Sequence, residues 1–211
     1  MNKYYLIFAL VLFLAWSCGS DDNANTNQAN NEVIVENENN QTENSEVGQE
    51  VKQEPQINEK FKAFLGKFAK TSLPYSENPD GAKEYPKISM EEQVEYLAKA
   101  ESLSASELEE MKDYTDFYYI SNPLNTDKFH AIVYGRFEMG STYYFLCTYD
   151  NNGKLISHID FAAYEMMSAG PQAGQEYYTK GLINKDHEIE VKTEEETVKY
   201  KIQEDGKIVE I

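Results

Sequence analysis

Phe129-His130-Ala131-Ile132-Val133-Tyr134-Gly135-Arg136-Phe137, then Thr142-Tyr143-Tyr144-Phe145-Leu146-Cys147-Thr148-Tyr149, then Asp150-Asn151-Asn152-Gly153: these residues decide the fold. Two runs so dense in Tyr, Phe, Ile and Val read as strands. The Asp-Asn-Asn-Gly that closes them is a hairpin turn, and it leads into a third strand-like run, residues 154–162. In that run Leu155, Ile159 and Phe161 are expected on one face, with Ile156, His158 and Asp160 on the other. Toward the C-terminus the period of two continues through residues 177–183, 188–192, 198–202 and 207–211. Ile189, Val191, Val198, Tyr200 and Ile202 there oppose Glu190, Lys199 and Lys201, so one face of these strands should meet water. On the N-terminal side the pattern starts with residues 117–120. Short connections between consecutive strands argue a mainly antiparallel meander of about seven or eight strands.

Residues 149–156 and 202–209 echo one another, each an apolar strand end, a turn closing on Gly-Lys and an apolar strand start. Hairpin chemistry alone generates such an echo, so it does not mark a repeat.

Ahead of the strands the period is helical. Phe61, Phe64, Leu65 and Phe68 fall on one stripe, with Asn58 as N-cap and a stop before Leu73-Pro74-Tyr75. Residues 75–87 read as a loop, with a turn signal at Asn78-Pro79-Asp80-Gly81. Ser89-Met90-Glu91-Glu92 has the form of a capping box, followed by Val94, Leu97 and Ala98 on one expected face. Ser104-Ala105-Ser106-Glu107 is a second box, opening a shorter helix that runs through Met111. Two or three helices packed on one face of the meander make an α+β domain, residues 59–211, long enough for one core.

Residues 19–58 hold nine acids against one lysine, are rich in Asn and Gln, and carry little apolar content beyond Val33-Ile34-Val35. Such a segment does not offset its ordering entropy by burial and reads as a disordered tether, spanning roughly 35 Å as a coil. The whole chain has 37 acids, 19 basic residues and a formal net charge of -18 at pH 7. That balance disfavours nucleic-acid phosphates and anionic lipid surfaces as partners. Arg136 is the sole arginine, which excludes an arginine-rich phosphate or carboxylate clamp; Tyr134 and Glu138 share its strand face.

At the N-terminus Lys3 precedes an apolar run, residues 4–16, too short for the roughly 20 residues of a membrane span. Leu14-Ala15-Trp16-Ser17-Cys18 comes next, then Gly19-Ser20-Asp21-Asp22. This arrangement resembles a bacterial lipoprotein signal of the loose Ser-Cys type found in Bacteroidetes. The resemblance implies removal of residues 1–17, lipidation of Cys18 and a membrane anchor with enough acyl chain to be stable. Ser20, Asp21 and Asp22 resemble the acidic export tag of those lipoproteins, which implies the outer membrane and the cell surface. The alternative is an ordinary signal peptide cut near Ser17 that leaves a free thiol. Phe61-x-x-Phe64-x-x-x-Phe68, Leu73-Pro74-Tyr75 and the turns at Gly153-Lys154 and Gly206-Lys207 also resemble uncharacterised lipoproteins of the same bacteria. That resemblance implies no activity and brings no catalytic residues.

The remaining chemistry is sparse. With Cys18 lipidated, Cys147 has no partner in the chain and reads as a small buried hydrophobe. His187-Glu188 begins like a zinc-protease helix, yet Val191 stands where the second histidine belongs, in a strand. His130, His158 and His187 are far apart, and Asp150-Asn151-Asn152-Gly153 has its glycine too early for an EF-hand loop. There is no phosphate-binding glycine loop and no Gly-x-Ser-x-Gly elbow, and no cofactor is expected. The 16 tyrosines include the doublets Tyr118-Tyr119, Tyr143-Tyr144 and Tyr177-Tyr178, which as strand residues place one ring on each face. Tyr118, Tyr144 and Tyr178 are the candidate binding surface, since exposed tyrosines give contact area at low entropy cost. The expected function is that of a non-enzymatic lipoprotein binding a protein, peptide or glycan outside the cell. A hydrolase of unrecognised type and an acidic inhibitor or immunity protein stay open as alternatives.

Overall fold

Asn58 starts the helical layer. Its Oδ1 accepts from the amides of Lys60 and Phe61, at 3.0 and 3.2 Å, and so caps α1 (Glu59–Leu65). Phe61, Phe64 and Leu65 are buried, and so is Phe68, although the chain has left the helix by then. The structure, a computed structural model, describes residues 56–77, 79 and 84–211, all within one compact unit, Glu50–Ile211. The expected signal segment 1–17, Cys18, Ser20, Asp21, Asp22, nearly all of the tether and most of the turn at 78–81 lie outside the described residues.

Two short strands come after α1 where none was expected, β1 (Ala69–Lys70) and β2 (Tyr75–Glu77). Too few residues carry a period in either, and each is a strand only because a distant strand offers its edge. The second helical run is interrupted. It comprises α2 (Met90–Glu92), a π-helical turn (Gln93–Leu97) and α3 (Ala98–Glu101). A π turn accommodates one extra residue and rotates the faces of the helix beyond it. Burial accordingly falls on Gln93, Tyr96, Leu97 and Ala100, whereas Val94, expected inside, is 38% exposed. Ser104 and Glu107 complete their capping box at α4 (Ala105–Met111) as the pattern requires.

Among the described residues the sheet has ten strands, mostly antiparallel, against the seven or eight expected. After β1 and β2 come β3 (Thr115–Asn125), β4 (His130–Glu138), β5 (Ser141–Tyr149), β6 (Leu155–Met166), β7 (Glu176–Ile183), β8 (Glu188–Lys192), β9 (Thr197–Ile202) and β10 (Ile208–Glu210). Neighbours run in the order β1-β3-β4-β5-β6-β7-β8-β9-β10, with β1 parallel to β3 and β2 pairing with β7. The strand β7 changes partners along its length. Glu176 to Thr179 pair with the end of β6, while Lys180 to Ile183 pair with β8, and Gly181 to Ile183 also with β2.

This change of partners gives the central strands two cores. On one face of β3–β5, Phe117, Tyr119, Ile132, Tyr134, Phe145, Cys147 and Tyr149 pack under the helices with Phe61, Phe64, Leu97 and Leu108. On the other, Ile120, Ala131, Val133, Tyr144 and Leu146 pack against Ile183, Ile189, Val191 and Ile202 of the later strands. Burial on both faces explains why β4 and β5 read as near-continuous apolar runs. Close approach between the layers shows at Gly181, where a Cβ would stand 2.6 Å from ring carbons of Phe161. Gly153, at φ +80 in the turn before β6, likewise leaves room for Phe61.

Two β-bulges reset the alternation of β6. Thr148 pairs with Ser157 and Tyr149 with Leu155, so Ile156 is the extra residue; Tyr144 pairs with Ala162 and Phe145 with Asp160, so Phe161 is extra. As a result Leu155 packs toward the helices, while Ile156 joins Ile159 and Phe161 in the other core. The uniform alternation expected for this strand is thereby corrected.

Candidate functional site

Register places Phe137, Thr142, Tyr164 and Tyr178 in one row across β4, β5, β6 and β7, hence on one face of the sheet. Tyr118 and Tyr144 lie in the next row on that face, both paired with Gly135. Phe137 links them, its ring centroid 4.5 Å from Tyr118 and 6.1 Å from Tyr144. Tyr164 and Tyr178 meet at 5.2 Å. Two methionines border the row, Met139 at 81% exposure in the β4–β5 turn and Met166 at 40% at the end of β6. The structure therefore brings the three sequence candidates onto one face, but not as equals. Tyr144 is only 3% exposed and forms part of the floor; Tyr118 and Tyr178 are half-buried and line the rim.

Carboxylates orient the rim rings. The Tyr118 hydroxyl donates to Asp116 Oδ2 at 3.0 Å, and Lys87 Nζ reaches Asp116 Oδ1 at 2.7 Å while lying 5.9 Å from the Tyr118 ring centre. Glu176 holds two rings, accepting from Tyr164 at 3.1 Å and from Tyr178 at 3.0 Å. Loss of solvent around the phenols, reinforced by Asp116 and Glu176, raises the pKa of Tyr118 and of Tyr164. Both remain neutral donors. Chemically the row is a set of flat apolar surfaces with fixed hydroxyls, suited to packing on a partner.

Beyond Tyr178 the rim opens into a concavity of about 480 Å³ lined by Tyr178, Lys180, Lys192, Thr193 and Glu194. A second cleft, about 570 Å³, lies between the β3–β4 loop and the last hairpins, over Phe129 and Ile202, with His187 and Lys201 in its wall. Lys128 and Glu204, also in that wall, pair at 3.4 Å.

Cys147 and Arg136 are engaged inside the domain. Cys147 is fully buried, and burial pushes its thiol pKa up, so it is no nucleophile. Arg136 pairs with Glu101 and, at 3.4 Å, with Glu138, and lies over the rings of Tyr143 and Phe145 at 5.0 and 5.1 Å. Tyr134 donates to the same Glu101 at 2.6 Å. Burial opposes the guanidinium charge, yet Glu101 and Glu138 raise the pKa of Arg136. The Arg-Glu contact beside a ring was legible in the strand pattern. Glu101 was not, because its place at the end of α3 gives no sign of burial.

His130 lies between the side-chain amides of Asn125, 2.7 Å from Nδ1, and Asn151, 2.9 Å from Nε2; burial lowers its pKa, and the hydrogen bond with Asn151 acts the other way. His158 is exposed, and His187 adopts φ 63 in the β7–β8 connection. Among the described residues no group of three or more His, Cys, Asp or Glu is placed to hold a metal ion, and no helix is long and apolar enough to cross a membrane. No family model, no curated protein and no solved structure matches the chain.

Proposed function

We propose that this chain is a lipoprotein anchored through Cys18 at the outer membrane, facing outward, whose domain binds a partner without catalysing a reaction. In this reading the helices packed on the antiparallel meander form a rigid scaffold, and the rim at the sheet end makes the contact. The observation that carries the binding role is the aligned row of Phe137, Tyr164 and Tyr178 beside Tyr118, ending on exposed Met139 and Met166. Aromatic rings and methionines are the residue types that supply contact area at recognition surfaces. Support for the anchor is the sequence around Cys18.

Two experiments test the two halves. Detergent-phase partitioning of the native protein, with mass spectrometry of its mature N-terminus, should show an acylated Cys18; Cys18→Ser should move to the aqueous phase. A wild-type protein that stays aqueous would end the anchor reading. For the rim, binding profiles on glycan and peptide arrays should be lost in the double variant Tyr118→Ser, Tyr164→Ser with its melting temperature retained. An unchanged profile would remove the rim from consideration.

A further inference from the structure

Carboxylates that accept from a tyrosine hydroxyl also hold a cation at three places in this domain. Asp116 accepts from Tyr118 at 3.0 Å and meets Lys87 Nζ at 2.7 Å, the ammonium lying 5.9 Å from the centre of that ring. Glu92 accepts from Tyr119 and meets Lys67 Nζ at 2.7 Å, with the ammonium 5.6 Å from the Tyr119 ring centre. Glu101 accepts from Tyr134 and pairs with Arg136. Glu77, the acceptor for Tyr75, has a further interaction as well. Glu176 departs from this habit. It accepts from two hydroxyls, those of Tyr164 and Tyr178, yet pairs with no cationic side chain among the described residues.

Exposure alone lets a carboxylate stand without a cation. The surroundings of Glu176 say more. Met166, 40% exposed, stands opposite it in the β6–β7 ladder, and Tyr164 and Tyr178 form the next pair on that face, their rings 5.2 Å apart. The two filled lysine seats show what fits such a place: a primary ammonium that reaches the carboxylate while lying over the ring. Lysine stems pack on apolar surface, and Met166 offers one beside the carboxylate. A chain with 37 acids against 19 basic residues also draws a cationic partner toward it.

We infer that this part of the rim seats a lysine side chain of a partner polypeptide, the ammonium donating to Glu176 beside the Tyr164 ring and the stem lying on Met166. The inference rests on the binding role proposed above and names the partner's contact residue. Tyr178 and Lys180 each have a further interaction within the domain, so the seat is assigned to Glu176 and Tyr164, with Tyr178 as its second wall.

The test titrates the full mature chain by NMR at low salt with three forms of one blocked peptide, Gly-Leu-X-Leu-Gly. X is lysine, Nε-acetyllysine or Nε-trimethyllysine. Signals of Tyr164 and Glu176 should shift and saturate with the lysine peptide, which should bind more weakly as salt rises. Loss of the charge in acetyllysine should weaken binding about 10-fold, and trimethyllysine, with no N–H to donate, about 3-fold. Glu176→Gln should weaken the lysine peptide about 10-fold while the protein keeps its melting temperature, whereas Tyr164→Phe keeps the ring and should retain binding. Acetyllysine bound as tightly as lysine, trimethyllysine bound more tightly, no loss in Glu176→Gln, or no binding of the lysine peptide overturns the inference. If array binding is then lost in Tyr118→Ser, Tyr164→Ser but kept in Glu176→Gln, the rim reading stands without this seat. If neither variant changes any profile, both readings fail.

Discussion

On the helix-covered face, the fully buried Tyr134 donates to Glu101, whose own side chain is 2% exposed, and Arg136 neutralises that carboxylate. At the rim of the opposite face, Tyr164 and Tyr178 donate to Glu176, which stands in solvent. The residue types are the same and the physical consequences differ. A buried carboxylate needs every partner, because a charge left alone out of water costs several kcal/mol. An exposed one loses little if a ligand group replaces its tyrosines. The inner network therefore specifies the fold, and the outer one is free to exchange partners.

Substitutions on the two sides should separate accordingly. The largest loss is expected on the helix side from Phe64→Ala, which removes a buried ring stacked on Tyr96 at 4.2 Å. Chemical denaturation should show about 4 kcal/mol of destabilisation. Glu101→Ala should cost about 3 kcal/mol by the same measurement, since Arg136 and Tyr134 lose their shared acceptor. A loss below about 1 kcal/mol would show that water already screens the network and would erase the contrast between the faces.

A pH series gives a smaller effect. His130 has its pKa lowered below the ordinary value near 6.5, burial being the main cause. The unfolded chain then binds more protons than the native one, so stability should fall as pH drops through about 6.5 toward the folded value. His130→Asn should flatten that part of the stability profile, and an unchanged slope would refute its assignment to this histidine. Smallest of all is Glu176→Gln, expected to change stability by less than about 0.5 kcal/mol while altering rim binding. A large loss of stability there would make the rim a structural network like its counterpart.

Much of the fold was legible because the signals are local. The caps at Asn58 and Ser104, the turn at Gly153 and the strands from β3 to β10 each depend on a few neighbouring residues. The site was less legible. Tyr118 and Tyr178 are half-buried at the rim, whereas Tyr144 is buried, since the later strands fold over its face. Val94 misled for a similar reason, because nothing in the local pattern reveals a π turn.

Taken alone, the amino-acid order determined the capped helix starts and the strands from β3 to β10 in their order, the acidic character of the chain and the cysteine context at residue 18. Those come from side-chain periodicity, capping and charge, which act within a turn or a strand. Tertiary structure alone decided that β7 would divide its hydrogen bonds between two sets of partners, that bulges would reset β6, and that Tyr164 would meet Tyr178. Pairing between strands far apart in the chain sets register, and register determines which side chains share a face.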